Sequence, residues 1–287
     1  MFIYRNKKGV NIKRYNELNE IDKDDIVTFY YLNKDVSIKE ISKILDMSQR
    51  SIPRVLQERG VNTRLKNRYV IENENYFENI DSEFKAYILG FIYADGFVGK
   101  HDDFCISLTD KVEDNLKILL TFQKELGIND NLVYHSVDKN VNGKYTFKFS
   151  NKKIVSDLNK CSVYTCKSLD MKNLPQNITK ELIRHFFRGY FDGDGTICSW
   201  FDAYDKRQRY CLEILGTKDF LNKFQNILCE QCHIKETKLH DVSRIKGLTR
   251  ISHRGIRSLI KIREYFYNNA TVFLTYKHDI FFNIQPL

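Results

Sequence analysis

The sequence feature that most constrains the fold is an internal repeat. Its two copies read AYILGFIYADGFV at residues 86–98 and HFFRGYFDGDGTI at residues 185–197. Both copies show the apolar spacing of a helix, and both helical patterns end in Asp-Gly. A chain that repeats such a segment is predicted to fold as two similar units.

Further landmarks recur in the same order after each copy. The matched segments are CISLTDK from Cys105 with CLEILGTKD from Cys211, FSNKKI from Phe149 with ISHRGI from Ile251, and YTCK ending at Lys167 with LTYK ending at Lys277. Each copy is predicted to run helix, strand, strand, helix, strand, strand, helix, which is an α+β unit. We therefore predict two repeats, residues 71–174 and 175–287, related by a pseudo-twofold axis.

Small residues recur at helical spacing inside both motifs. Gly90 and Ala94 are four residues apart, as are Gly189 and Gly193, so each helix has one face with little side-chain bulk. Two such helices can approach backbone to backbone. The two repeats are therefore predicted to pair through these helices within one chain.

Two carboxylates mark the ends of the motif helices. Asp95 and Asp194 are the last residues before Gly96 and Gly195. If the helices pack side by side, both carboxylates lie at the same end, where the helix carbonyls are already partly negative. This concentration of negative charge favours a cation, and carboxylate and carbonyl oxygens suit magnesium. A single Asp-Gly pair would indicate only a turn, but here the pair ends two matched helices.

The charge balance favours a polyanionic partner. The 287 residues include 46 Lys and Arg against 37 Asp and Glu, which gives a net charge of +9, and 42% of them are hydrophobic. This is the composition of a globular protein, and its positive balance favours nucleic acid over neutral partners. The sequence has neither an apolar run long enough to span a membrane nor an apolar signal segment. We therefore expect a cytoplasmic protein with no membrane partner.

The cysteines predict neither a disulfide framework nor a metal site. There are seven in the whole chain, and we expect them to be reduced. The segment Cys229-Glu230-Gln231-Cys232-His233 matches a c-type haem attachment signature, but it falls within a helical apolar pattern. A zinc site would need a second Cys-x-x-Cys, which the sequence lacks.

Residues 1–70 are predicted to form a small all-α domain and a linker. Ser37 is a candidate N-cap for one short helix, and a turn at residues 46–48 separates it from a second helix that reaches Gly60. Arg50 and Arg54 fit a helix-turn-helix whose second helix enters a major groove. Pro53 requires this helix to start shortly before it, because proline is tolerated only in a first turn. A helical bundle with no DNA role is the alternative.

The paired motifs resemble those of single-chain LAGLIDADG homing endonucleases, and the resemblance covers about residues 75–287. It implies two saddle-shaped antiparallel sheets that lie in the major groove of DNA. It also implies that Asp95 and Asp194 bind a divalent metal, with the backbone carbonyls of Ala94 and Gly193 as further ligands.

Two more positions take their expected roles from the resemblance. Lys167 and Lys277 resemble the basic residue that follows each repeat and acts near the scissile phosphates. Tyr93 departs from the motif, which has an acid at that position, as the second copy does with Asp192. The position is not a metal ligand in the family, so the departure leaves the implied chemistry intact.

The implied activity is magnesium-dependent cleavage of both strands of a long double-stranded DNA target, with short 3′ overhangs. The chain is expected to act as a monomer. The resemblance also implies that the helix-turn-helix extends the DNA footprint, as in phage-type relatives, and that the source is a bacterium or a phage. The strand patterns alternate polar or basic residues with apolar ones, which predicts a DNA-facing surface on each sheet. The predicted contacts there are Lys144, Thr146, Lys148, Arg207, Gln208, Arg209, Arg244, Lys246 and Arg250.

Other functions fit the same resemblance. One is a transcriptional regulator that keeps the fold without cleaving DNA, although retention of Asp95 and Asp194 argues against it. Another is a maturase that binds folded intron RNA, although a helix-turn-helix favours duplex DNA. An intein origin is disfavoured, because the sequence has neither the Cys or Ser start nor the His-Asn end that protein splicing uses. The target sequence, the host and an intron location of the gene are left open.

Overall fold

The computed structural model describes residues 12–32, 36–61, 69–137, 143–164, 171–242 and 247–286. The chain divides into two units, Met1–Val70 and Ile71–Leu287. None of the helices within the described ranges has both the length and the apolar character needed to cross a membrane.

The first unit is built from short helices in its described residues. They are a 3-10 turn at Tyr15–Glu17, α1 (Glu20–Leu32), α2 (Ile38–Ile44) and α3 (Ser51–Glu58). Their buried apolar residues form one small core, made of Ile26, Ile41, Met47, Ile52, Val55, Leu56 and Val61. Each helix places one apolar side in this core, as expected of amphipathic helices too short to be stable alone.

Local capping explains where α2 begins, and Pro53 limits where α3 can begin. Ser37 Oγ accepts a 3.2 Å hydrogen bond from the backbone nitrogen of Glu40, whose carboxylate accepts one from the nitrogen of Ser37. The predicted N-cap at Ser37 is therefore correct. Helix α3 starts at Ser51, so the connection after α2 is longer than the predicted turn and Pro53 lies in the first turn of α3.

The second unit contains the two predicted repeats. The first consists of α4 (Glu83–Asp95), β1 (Gly96–Val98), β2 (Asp103–Thr109), α5 (Glu113–Glu125), β3 (Val133–Ser136), β4 (Lys144–Ser150) and α6 (Lys152–Lys160). The second consists of α7 (Ile183–Asp194), β5 (Gly195–Asp202), β6 (Arg207–Thr217), α8 (Lys218–Cys232), β7 (His240–Asp241), β8 (Leu248–His253), α9 (Ile256–Tyr267) and a further helix, α10 (Thr275–Phe282). The predicted α+β class and the shared element order are confirmed.

Each repeat forms one four-stranded antiparallel sheet. The strand orders are β1-β2-β4-β3 and β5-β6-β8-β7. In the first sheet, Phe104, Ile106, Phe147 and Phe149 are buried on one face, and the residues that alternate with them form the other face. The helices pack on the buried faces, which leaves one polar face on each sheet.

The two sheets differ in the length of their first hairpin. Gly96 pairs with Ile106, whereas Gly195 pairs with Ile214, so the hairpin of the second repeat is nine residues longer. In the sheets, Cys105 therefore occupies the position that Glu213 occupies in the second repeat. The sequence repeat matches Cys105 with Cys211 instead, which is two residues earlier. Strands β5 and β6 therefore extend further from the rest of their sheet than β1 and β2 do from theirs.

The motif helices α4 and α7 pack against each other at their glycines. A methyl group on Gly90 would lie 2.7 Å from the backbone nitrogen of Tyr190 and closer still to the backbone oxygen of Phe186. A methyl group on Gly189 would lie 3.1 Å from the nitrogen of Phe91. Only glycine allows this approach, so the predicted backbone-to-backbone pairing is observed.

Candidate active site and nucleic-acid interface

The paired helices bring their C-terminal ends together. Asp95 is the last residue of α4 and Asp194 the last of α7. A side chain on Gly193 would overlap Cβ of Ala94 and lie 3.0 Å from Oδ2 of Asp95, so the end of α7 contacts the end of α4. Asp95 is exposed and Asp194 half-buried, and the negative ends of two helix dipoles meet here.

The donor set at this end suits a hard cation that also binds phosphate. Within the described ranges no group of three or more His, Cys, Asp or Glu could hold a metal. The two carboxylates and the neighbouring carbonyls are oxygen donors only, as magnesium prefers. Magnesium commonly takes one or two protein carboxylates and fills its other positions with water and phosphate oxygens. The residues present therefore fit a magnesium ion shared with a nucleic-acid backbone.

A small cavity opens beside Asp95. It has a volume of 270 Å³, and Gly193, Ser107 and Tyr276 are among its lining residues. Burial, together with the charges of Asp192 and Asp95, raises the pKa of Tyr276 to about 12, so its hydroxyl stays protonated at neutral pH. No sequence pattern singled out Tyr276, although it directly precedes Lys277.

Asp192 is one of the most buried acids of the second unit. Its Oδ2 accepts hydrogen bonds from the hydroxyl of Tyr87 at 2.8 Å and from the nitrogen of Leu274 at 2.9 Å. Burial raises the pKa of this carboxyl to about 6, against the opposing charge of Lys277. Tyr93 in the first repeat is also buried and donates a hydrogen bond to the backbone oxygen of Cys161. Both side chains are held in the interior, so neither is placed as a metal ligand.

Lys277 lies beneath the paired helix ends instead of facing solvent. Its Nζ donates to the backbone oxygens of Phe191 and Asp192, both at 2.7 Å, and of Gly195 at 2.6 Å. The side chain is 3% exposed, and burial lowers its pKa to about 8 while the charges of Asp192, Asp95 and Asp194 oppose this shift. All three ammonium protons are used by carbonyls at the end of α7, so the expected direct role at a phosphate is not supported by this geometry.

The segment 271–277, here called the C-terminal strap, joins the two repeats through hydrogen bonds that the sequence did not predict. Thr271 donates from its nitrogen to Glu83 at 2.7 Å, and Thr275 donates from its nitrogen to Asp114 at 2.7 Å. Both acceptors belong to the first repeat. These hydrogen bonds fix the position of α10, and Lys277 on this helix is thereby held next to the paired helix ends.

The buried side chain of Arg188 adds further hydrogen bonds between the two repeats. The Arg188 guanidinium is fully buried and donates to the Glu83 carboxylate at 2.6 Å, to the oxygen of Phe266 at 2.6 Å and to the oxygen of Val272 at 2.9 Å. It also donates to Nδ1 of His185 at 2.8 Å, and burial lowers the pKa of that histidine to about 4. A buried cation is tolerated because all these acceptors surround it.

The polar face of the first sheet presents two lysines. Lys144 and Lys148 are exposed, as predicted for a nucleic-acid contact surface. Thr146 lies on the same face but is only 3% exposed, because it is hydrogen-bonded to Ser107 at 2.9 Å and flanked by Tyr134 on the neighbouring strand. The prediction of Thr146 as a contact residue is therefore contradicted by its burial.

Strand register separates the predicted contacts of the second sheet. Arg207 pairs with Asp202, and Arg209 pairs with Trp200, so both arginines lie on the polar face. Gln208, between them, pairs with Phe201 and lies on the opposite face. The prediction that Gln208 contacts the same surface as its neighbours is therefore wrong. Arg209 is also bonded to Asp202 at 3.3 Å and ion-paired with Asp205.

Arg250 is on the polar face as well. Its Nη1 donates to the Glu213 carboxylate at 3.2 Å, and the rest of the side chain is partly exposed. Three other predicted residues, Lys167, Arg244 and Lys246, lie outside the described residues.

In the first unit, the two predicted arginines face solvent: Arg50 directly precedes α3, and Arg54 lies on it. Arg50 and Arg54 are exposed, and the Arg54 guanidinium stacks 3.8 Å from the ring centroid of Tyr15. Both line a groove of 710 Å³ together with Arg14 and Ser48. The groove is basic and open, which is a suitable surface for a phosphate backbone.

No protein-family model and no curated protein sequence matches this chain. Among solved structures, it is similar to the I-LtrWI LAGLIDADG homing endonuclease bound to target DNA, with 14% identity, a TM-score of 0.47, and coverage of 72% of this chain and 89% of that one. It is also similar to LAGLIDADG meganuclease I-AabMI bound to uncleaved DNA, with 11% identity, a TM-score of 0.46, and coverage of 70% and 88%. For meganuclease I-SmaMI bound to uncleavable DNA the values are 13%, 0.46, 68% and 88%. These structures belong to the family that the two motifs resemble, but similarity at this level does not itself assign an activity.

Proposed function

We propose that this protein is a site-specific DNA endonuclease that cleaves both strands of a long duplex and leaves short 3′ overhangs. The observation that carries the proposal is the contact between the ends of α4 and α7, which places Asp95 and Asp194 at one end of a glycine-packed helix pair. If the two Asp-Gly pairs were only turns, nothing would require a carboxylate at each of two negative helix ends that meet.

Asp95 and Asp194 are proposed to hold magnesium, with the backbone oxygens of Ala94 and Gly193 as further donors. When bound, the ion would polarise the phosphodiester, activate water and neutralise the leaving oxygen. The two carboxylates belong to different repeats, so each is proposed to serve one DNA strand. Because both lie in one chain, we propose that a monomer is sufficient for cleavage.

Lys277 is proposed to act through the backbone. Its ammonium neutralises the carbonyl end of α7 immediately beside Asp194, as a cation does at any helix C-terminus. This contact fixes the direction in which α7 ends and offsets part of the negative charge next to the metal ligands. Lys167 is proposed to serve the first repeat in the role that the sequence resemblance implies.

The polar sheet faces are proposed to bind the DNA. Their exposed cations Lys144, Lys148 and Arg207, and the partly exposed Arg209 and Arg250, are suited to phosphates and guanine edges. Arg244 and Lys246 are proposed to belong to the same surface. Recognition over two sheets would explain a long target.

The first unit is proposed to extend the contact with DNA through Arg50 and Arg54. Deletion of residues 1–70 tests this role, because both proposed metal ligands and both sheets belong to the second unit. The truncated protein should still cleave the central site but bind the full-length site more weakly. Unchanged affinity would show that the first unit makes no DNA contact.

The experiment that tests the proposed function is selection of cleaved sites from a randomised duplex library in magnesium. A nuclease should yield one reproducible long site whose products carry short 3′ overhangs. Recovery of a bound but uncut site would instead support a transcriptional regulator. Preference for a folded intron RNA over every duplex would support a maturase.

A further inference from the structure

Two cysteines face each other across the long hairpin of the second repeat. Cys198 on β5 and Cys211 on β6 are direct register partners, so their side chains leave the sheet on the same face. Both are free thiols, and Sγ of Cys198 lies 3.6 Å from the backbone oxygen of Cys211. Cys198 is exposed, whereas Cys211 is 3% exposed.

The backbone geometry of this pair suits a disulfide. Directly opposed residues of antiparallel strands have Cα atoms about 4.5 or 5.5 Å apart, depending on whether the pair is hydrogen-bonded. Disulfides usually join residues whose Cα atoms are about 4.4 to 6.8 Å apart. The Cα separation is therefore within the disulfide range for either kind of pair. The Cβ atoms of opposed residues are about 4.5 to 5.5 Å apart, so the strands need to approach by at most about 1 Å to reach the Cβ separation of a disulfide.

We propose that Cys198 and Cys211 form a reversible disulfide when the protein meets a hydroperoxide. The Cys198 thiolate attacks one peroxide oxygen, the O–O bond breaks, and the departing oxygen leaves as hydroxide and is protonated to water. The resulting sulfenic acid is attacked by the Cys211 sulfur, an S–S bond forms, and the sulfenic oxygen leaves as water with the proton of Cys211. Two thiols are oxidised and hydrogen peroxide is reduced to two water molecules.

The difference in exposure sets the order of the two steps. Of these two thiols, Cys198 is the one whose sulfur is accessible to a dissolved oxidant. Burial raises the pKa of the Cys211 thiol, partly offset by the neighbouring Arg254, so Cys211 is the poorer first nucleophile. It lies opposite Cys198, however, which makes it the resolving thiol.

Other described cysteines lack this combination. Cys229 and Cys232 are both on α8 and both buried, so neither presents a thiol to start the reaction. Cys161 is buried as well, and Cys105 pairs with Phe97 instead of a cysteine. The proposal concerns a modification site on the polar face of the second sheet and does not depend on nuclease activity.

Peptide mapping of the full-length protein tests the proposal. The native protein is treated with hydrogen peroxide, unreacted thiols are blocked with N-ethylmaleimide after denaturation, and the protein is digested with trypsin. Lys206, Arg207 and Arg209 lie between the two cysteines, so trypsin separates them and a disulfide appears as two linked peptides. We expect this linked pair, two hydrogen atoms lighter than the sum of its parts, to disappear after reduction with dithiothreitol.

Two single variants separate the roles of the cysteines. In Cys211→Ser, the Cys198 sulfenic acid should persist and be trapped by dimedone. In Cys198→Ser, Cys211 should remain reduced at the same peroxide concentration. The proposal would be overturned if wild-type Cys198 went to sulfinic acid without a link, or if it paired with a different cysteine.

Discussion

The hydroxyl of Tyr87 donates a 2.8 Å hydrogen bond to Oδ2 of Asp192, from the motif helix of one repeat to that of the other. Both side chains are buried within the helix interface. Oδ1 of the same carboxylate is buried without a hydrogen-bond partner in the described part of the chain. The interface therefore contains an acid that is only partly compensated when charged.

This pair predicts a pH-dependent stability. Burial raises the pKa of Asp192 from its usual 3.8 to about 6, so the folded protein keeps a proton that the unfolded chain has lost. The contribution of Asp192 to stability is thus full below pH about 4 and is lost as the pH rises through about 6. In Asp192→Asn this loss is absent, so the free energy of unfolding of the variant should rise relative to wild type by roughly 2 kcal/mol between pH 4 and pH 7.

Urea denaturation at pH 4 and pH 7 measures this difference. His185, whose pKa is lowered by burial, titrates in the opposite sense but is present in both proteins, so its effect cancels. Asp130→Asn, the same change at an exposed position, is the control and should show no such trend. A difference between Asp192→Asn and wild type that does not vary with pH would contradict the prediction.

The glycine contact predicts a large loss of stability in Gly90→Ala. The added methyl would overlap the backbone oxygen of Phe186, and neither helix backbone can yield without separating the pair. We expect a cost of about 3 kcal/mol or more, at the upper end of overpacking effects. Gly255→Ala is the matched control, because its nearest neighbour would be Ser258 Oγ at 3.7 Å. Equal urea midpoints for the two variants would contradict the close packing of α4 and α7.

The position of Lys277 predicts that Lys277→Met impairs both stability and cleavage while DNA affinity is kept. The methionine fills a similar space but removes the ammonium donor from three backbone carbonyls and the cation from the end of α7. Lys261→Met is the control, because Lys261 is exposed and donates to one carbonyl, that of His233. Thermal unfolding and single-turnover cleavage measure the two effects. A Lys277→Met protein that unfolds and cleaves like Lys261→Met would show that the contact is dispensable.

Two exposed arginines of the second repeat lie on different surfaces, so we expect their substitution to affect DNA binding differently. Arg207 is on the polar face of the second sheet, whereas Arg257 is exposed on α9 in the helical layer. Arg207→Ala should weaken DNA binding and flatten the plot of log affinity against log salt by about 1, the effect of one lost phosphate contact. Arg257→Ala removes the same charge and should leave the slope unchanged. Equal slopes for both variants would remove Arg207 from the interface.

Much of the site could be predicted from local sequence. Gly90 and Gly189 recur at helical spacing, and the contact they allow follows from their missing side chains. Asp95 and Asp194 immediately precede glycines, so their position at the helix ends could be read without knowing the fold. These features depend on neighbours within one or two helical turns.

The remaining features depend on long-range placement. Gln208 is separated from Arg207 by the register of a hairpin that is longer than its counterpart, and Thr146 is covered by residues of two neighbouring strands. Lys277 reaches the end of α7 only because the C-terminal strap returns along both repeats. The sequence motif indicated that Lys277 matters but not that it would be buried.

The most direct test of the account is magnesium-dependent cleavage by Asp95→Asn and Asp194→Asn. Each change keeps the shape of the side chain but removes a charge proposed to bind the metal, so each should reduce single-turnover cleavage of both strands by orders of magnitude. DNA affinity, measured in parallel, should stay at the wild-type value, and Asp130→Asn should cleave normally. Double-strand cleavage at the wild-type rate by either variant would contradict the assignment of the paired helix ends as the active site.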